Sequence, residues 1–530
     1  MSHPTRRTVL RTGTAVGAMA ALPASTMLWT QPAVAGTPGP EQVHLQWGNE
    51  PSTEMTVSWA TAASVGRPRV RIGTPRGGSG FTVHAESRSY VDGLNKVETF
   101  THHARLRDLM PDTTYVYEVA HDGTEPVRGT FRTAPGRGRA AFRFTSFGDL
   151  GTGDNVFAKS SIHGAAAVRQ VEQFNPLFHL LNGDLAYANN NTQQQPQCWN
   201  AFMNNMAKSA AARPWMPAPG NHEVEAGGGD LGYASYLTRF ELPDNGSRDY
   251  CGNWYSFQIG SVLFVSLDGN EIAVEDDASI DPATGHSIYI NDYSEGAQLR
   301  WLERVLRRAR DGRKVDWIVC YLHQFAMSSS AQSHGGDMGI REKLLPLMDR
   351  YSVDLVLAGH DHDYERTHPV RGTEPGGLLT PAAADDDLRR IDTSQGTVHL
   401  VLGGGGTAGH DDVYLPADAD GVRQASVRTQ RLTFKADPDA KEKATWSAVT
   451  DPDTAFPYGV AVFDVDPGHV PGGRTSITVS YYHSPMATAA NPFPSPVLFD
   501  KFTLFRDRSD GWGDDRDDND DAQGADDREP

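Results

Sequence analysis

Five short motifs carry side chains that could hold metal ions: "GDLG" (148–151), "GDLAY" (183–187), "GNHE" (220–223), "CYLH" (320–323) and "GHDH" (359–362). They supply Asp149, Asp184, Tyr187, Asn221, His323, His360 and His362, a set of oxygen and nitrogen donors suited to two cations. A pair of ions ~3.5–4 Å apart needs a bridging ligand, and a carboxylate with two oxygens, such as Asp184, meets that need. Tyr187 is the unusual member. A phenol with a pKa of ~10 is a poor ligand at acidic or neutral pH. A trivalent iron changes the balance by drawing off the proton and leaving a hard phenolate oxygen, so Tyr187 selects for Fe(III). Asn221 with two histidines does not choose among Zn, Fe and Mn for a second ion.

Each motif alone is weak, and the elements that must bring them together are what give them weight. "AFRFTSF", "PLFHLL", "PWMPA", "SVLFVSL", "DWIVCYL" and "VDLVLA" read as buried strands. "GAQLRWLERVLRRAR" reads as an amphipathic helix with Leu299, Leu302 and Leu306 on one face and Ser294 as its N-cap. The alternation is an α/β pattern. Five of the six runs end within a few residues in one of the polar groups above, and ligands in such sheets bind at the carboxyl ends of strands. Two lone histidines, His163 and His179, are read as structural.

The preceding stretch has another texture. From about Gln42 to Thr133, "EMTVSWAT", "RVRIGT", "ETFTHHARL", "TYVYEVAH" and "GTFRTA" alternate with Gly, Pro and Asp turns, which predicts a small antiparallel sandwich. "LRDLMPDTTYVYEV" resembles the fibronectin type III pattern, with Trp59 as the core aromatic and Tyr115 near a strand corner. The domain reads equally as a binding module, a wall of the active site or a structural appendage.

Taken in order, the five motifs resemble the calcineurin-like metallophosphoesterases, and with Tyr187 they resemble the purple acid phosphatase branch. The resemblance implies an N-terminal fibronectin type III-like sandwich over 40–135 and a catalytic domain over 140–506, built as a two-sheet β-sandwich flanked by helices. "PYGVAVFDVD" and "SITVSYYH" would be closing strands of its second sheet. It also implies Asp149, Tyr187 and His362 on the first metal, Asn221, His323 and His360 on the second, and Asp184 between them. A metal-bound hydroxide would attack a phosphate monoester in line. The leaving oxygen then wants a non-ligand histidine: His222, beside Asn221, and His334 are the candidates. Cys320 stands where valine is commonest in the family. Tyr364, Glu365 and Arg366 continue the last motif as braces, and "VLGGGGTAG" (401–409), lacking the end of a P-loop, reads as a turn beside the site.

Composition bounds the partners. "TRRTVLR" followed by a weakly apolar stretch and "AVA" reads as a twin-arginine export signal over 1–35, not a membrane span, and predicts a secreted, extracytoplasmic product. The formal charge is −19; the three arginines of 1–35 are unopposed, so the remainder carries −22. Nucleic acid is a poor partner for such a chain, and small phosphorylated molecules are better substrates. Eleven acids against three arginines from Asp507 to Pro530 read as a disordered acidic tail. Three cysteines are too few for a disulfide framework, and a single Cys198–Cys251 bridge stays open. A phosphodiesterase or nucleotidase on the same scaffold is the alternative activity, and a non-catalytic secreted binding protein the third reading.

Overall fold

The computed structural model describes residues 38–77, 80–275, 288–329, 334–407, 417–431, 440–450 and 458–509. The export-signal reading of 1–35 and the acidic tail beyond Ser509 lie outside them. Among the described residues no helix is long and apolar enough to cross a membrane.

The alternating runs of the N-terminal stretch form two four-stranded antiparallel sheets. In spatial order one holds Glu41–Gln46, Met55–Thr61, Glu98–Leu106 and Glu86–Val91, and the other Phe81–His84, Arg69–Gly73, Thr114–Ala120 and Val127–Arg132. Period-two burial along Thr114–Ala120 puts Tyr115, Tyr117 and Val119 inward, where Phe131 stacks on Tyr115 at 5.5 Å. Trp59 is fully buried, as a core aromatic must be. Tyr117 Oη donates to Ala211 O (2.6 Å) and a ring nitrogen of His44 lies 2.9 Å from Arg239 O, so the sandwich is bonded to the larger domain. The apolar core runs on without a break between them.

Two seven-stranded sheets make up the rest. The first runs Trp215–Ala218, Phe178–Asn182, Phe142–Phe147, Tyr458–Asp466, Arg474–Ser484, Val497–Asp507 and Arg390–Asp392. The second runs Tyr255–Ile259, Val262–Ser266, Trp317–Tyr321, Leu355–Ala358, Val398–Leu402, Tyr364–Thr367 and Ser447–Thr450. Phe144 of the first sheet stacks on Phe463 at 4.4 Å and meets Phe264 of the second edge-on at 5.1 Å, so side chains of both sheets interdigitate. All six expected strands are present.

Two expectations need correction. The late strands Tyr458–Asp466 and Arg474–Ser484 do not close the second sheet; Tyr458–Asp466 pairs antiparallel with Phe142–Phe147, extending the sheet that carries Asp149. The N-cap position of the helix Ala297–Asp311 is Gly296 at φ +75° and not Ser294, although Ser294 Oγ still accepts from Gln298 N (3.4 Å) in the first turn while it donates to the buried Glu271. Leu302 and Leu306 are buried as expected and Leu299 is partly so. All three cysteines are free thiols; Cys198 Sγ donates to Ala186 O (3.1 Å) and is not bridged to Cys251.

Candidate metal centre

The parallel register of Phe142–Phe147, Phe178–Asn182 and Trp215–Ala218 ends the three strands side by side, and Trp317–Tyr321 and Leu355–Ala358 end likewise in the facing sheet. The chain then turns sharply after each strand. Asp149, Asp184, Tyr187 and His360 all sit in the left-handed region, at φ of 62°, 51°, 57° and 77°. Such non-glycine conformations cost energy and gather where function over-determines the backbone. The glycine before a donor has its own reason: a Cβ on Gly183 would fall 2.6 Å from the His323 ring, and one on Gly359 2.5 Å from Asp149 Oδ2.

The seven predicted donors converge. Tyr187 Oη donates to Asp149 Oδ1 at 2.9 Å and lies 3.2 Å from His362 Nε2, which is itself 3.3 Å from Asp149 Oδ1. Asp184 Oδ2 is 3.1 Å from His323 Nε2, which is 3.1 Å from His360 Nδ1. Asn221 is buried, and its Oδ1 has no hydrogen-bond partner among the described residues. Buried acceptors are almost always paired, so this orphan oxygen is the observation that fits a cation. His323 Nδ1 faces Asn182 O at 2.8 Å; a carbonyl only accepts, so Nδ1 carries a proton, and Nε2 is the ring atom turned toward Asp184. Asp149, Tyr187 and His362 thus contact one another, and Asp184, His323 and His360 form a second contacting set.

Electrostatics point the same way. Burial raises Asp149, and it raises the Tyr187 hydroxyl well above its usual range, helped by Asp149 and Asp184. Burial would also raise Asp184, but the charges of His323 and His222 outweigh it and hold that carboxyl well below its range. His323, opposed by burial, is lifted to about 10 by Asp184 and Asp149. A proton on His323 therefore occupies the role of a cation between two buried carboxylates in the metal-free chain.

Both non-ligand histidines adjoin the cluster. His222 N donates to Asp184 Oδ1 (2.9 Å), its Nδ1 lies 2.7 Å from Asn189 Oδ1, and its ring packs on Tyr187 at 4.4 Å. The His334 ring packs against His360 at 3.7 Å, tilted by 36°, and is partly exposed. His163 and His179 take structural roles: His163 accepts from Ala487 N, and His179 pairs with Thr145. The braces are confirmed. Tyr364 and Arg366 bond to Asp500, and Glu365 accepts from Ser328 and Ser329. Gly405 N and Thr407 N of the glycine-rich turn bond to the carbonyls of Gly148 and Asp149.

Sequence reasoning missed the buried carboxylate of Glu223. Its Oε2 accepts from Asp184 N (2.9 Å) and Gly220 N (2.8 Å), and its Oε1 from Leu185 N (2.9 Å), tying two metal motifs together. The signal was inside "GNHE", where a fourth polar residue follows the ligand. Glu275 and Asn270 were also missed. Asn270 Nδ2 donates to Gly220 O (2.9 Å), just before Asn221.

A strand-end cluster of buried carboxylates, histidines, an amide and a tyrosine on two facing sheets defines a metallophosphoesterase. The family model "Purple acid Phosphatase, N-terminal domain" matches residues 40–133 and "Calcineurin-like phosphoesterase" matches 142–364. A Mycobacterium tuberculosis protein described as uncharacterized is 42% identical over 523 residues, 94% of each chain. Acid phosphatase type 7 of Mus musculus is 29% identical over 71% of this chain and 80% of its own. The structure of a purple acid phosphatase from yellow lupin (Lupinus luteus) seeds superposes with a TM-score of 0.65 at 20% identity, over 89% of this chain and 76% of that one. The chain belongs to the purple acid phosphatase-like calcineurin-type metallophosphoesterases.

Proposed function

We propose that the protein is an exported phosphatase that hydrolyses small phosphate monoesters at a binuclear centre of Fe(III) and a divalent Zn, Fe or Mn ion. The observation that carries the reading is the pairing of buried Tyr187 with Asp149 and His362. Acid phosphatases among the relatives support a monoester as substrate. When bound, the two cations supply charge that neutralises the phosphoryl oxygens and acidifies a coordinated water.

The chain's own groups do the rest. Asp149, Tyr187 and His362 would hold the first ion, Asn221, His323 and His360 the second, and Asp184 would serve both. Asn189 orients the His222 ring beside Asp184, where it can meet a phosphoryl oxygen or the leaving oxygen; His334 covers the His360 side. The twin-arginine sequence supports export.

Turnover of an aryl monophosphate compared with a bis-aryl phosphate tests the substrate class. The proposal expects the monoester to be preferred. A strong preference for the diester would reassign the protein to the phosphodiesterase reading, and two bound metals with no phosphoester turnover would favour the binding-protein one.

A further inference from the structure

Glu275 belongs to none of the five motifs, yet its carboxylate joins two of the histidines at the site. Its Oε2 lies 2.7 Å from His360 Nε2 and its Oε1 2.5 Å from His334 Nδ1. Both gaps are within hydrogen-bonding distance. An ionised carboxylate accepts only, so both imidazoles donate to it.

The consequence for His360 follows from its tautomer. With the Nε2 proton committed to Glu275, Nδ1 is left with its lone pair, and Nδ1 is the atom that faces His323 Nε2 at 3.1 Å. The loop holding Glu275 is itself anchored. Asp337 accepts from Val274 N (2.9 Å) and Glu275 N (3.1 Å), and Asp337 N donates to Phe325 O (3.1 Å) on the loop that carries His323. One carboxylate, fixed to the His323 loop, therefore orients the His360 ring and holds the His334 ring packed against it.

We propose that Glu275 is a positioning residue for the second metal: it fixes His360 as an Nδ1 ligand and, through its other oxygen, docks His334 over that ion. The inference rests on the binuclear reading. Glu275→Gln is the informative change, because an amide offers one acceptor oxygen and cannot accept from both rings; Glu275→Ala removes both contacts. The side chain lies at the surface of the site, 15% exposed, so neither change opens the core.

The experiment measures metal content of the full chain, loaded with iron and zinc, across a chelator series, with melting of the metal-free protein as a check on folding. Both variants are expected to lose zinc affinity by about 10–100-fold while keeping iron and the visible band that depends on Tyr187. His334→Ala, which leaves the carboxylate on His360, is expected to keep wild-type zinc affinity. Unchanged zinc affinity in a folded Glu275 variant, or equal loss of both ions, would overturn the proposal. A wild-type chain that holds no second ion would instead overturn the binuclear reading, a result the variants are not needed to see.

Discussion

Tyr187 Oη and Asp149 Oδ1 lie 2.9 Å apart, and both residues adopt left-handed backbone conformations. Two strained turns on neighbouring strands are thus spent on bringing a phenol against a carboxylate in a dry pocket. Burial and the two aspartates make the phenol harder to ionise, so as a purely structural pair it would stay protonated at any physiological pH. A strongly charged ion held by these residues would reverse that preference.

The His222 ring is oriented by Asn189 and its backbone by Asp184, an arrangement that suits the proposed proton-transfer role. His222→Ala is expected to lower kcat by about 10²–10⁴-fold, the usual worth of a positioned proton donor, with both metals retained. Turnover and metal analysis on the same preparation check it. Loss of the metals along with activity would make His222 a ligand.

Glu223 predicts a different phenotype. Its carboxylate accepts three backbone N–H groups from the Asp184 and Asn221 turns, and glutamine would point an amide donor at one of them. Glu223→Gln should cost roughly 1–3 kcal/mol of stability and weaken both metals together, because Asp184 spans them. A denaturant titration with metal analysis reads both effects. A variant as stable and as fully loaded as wild type would contradict the role.

What was legible in the sequence was the set of residues at strand ends, because apolar runs and glycine-bounded turns are local patterns. Asp149, Asp184, Tyr187, Asn221, His323, His360 and His362 were each found that way. Glu275 was not, because "VEDD" reads as a solvated acidic loop until Asp337 and His360, far along the chain, are placed beside it. Sheet membership of Tyr458–Asp466 was hidden for the same reason: a buried strand fits either sheet, and pairing with Phe142–Phe147 is a long-range choice. Ser294 lies two residues before the Gly296 cap position, yet its hydroxyl accepts from Gln298 N in the first turn while donating to Glu271.

His399 offers a test of pH dependence away from the metals. Burial alone pushes its ring down to about 3, and its Nε2 has no partner. The unfolded chain takes up that proton near pH 6.5 and the folded chain does not, so its contribution is intact above pH 6.5 and is lost as pH falls toward 3. His399→Gln should remove roughly 3 kcal/mol of the stability that wild type loses between pH 7 and 4. Urea midpoints at both pH values decide it; parallel losses in the two proteins would contradict the assignment.

The most direct test of the metal centre is the visible absorption spectrum of the air-oxidised, iron-loaded protein beside Tyr187→Phe. The expected result is a charge-transfer band in the wild type that is absent from the variant, marking Tyr187 as a phenolate on Fe(III). An iron-loaded wild type without the band, or a band that survives the substitution, would contradict it.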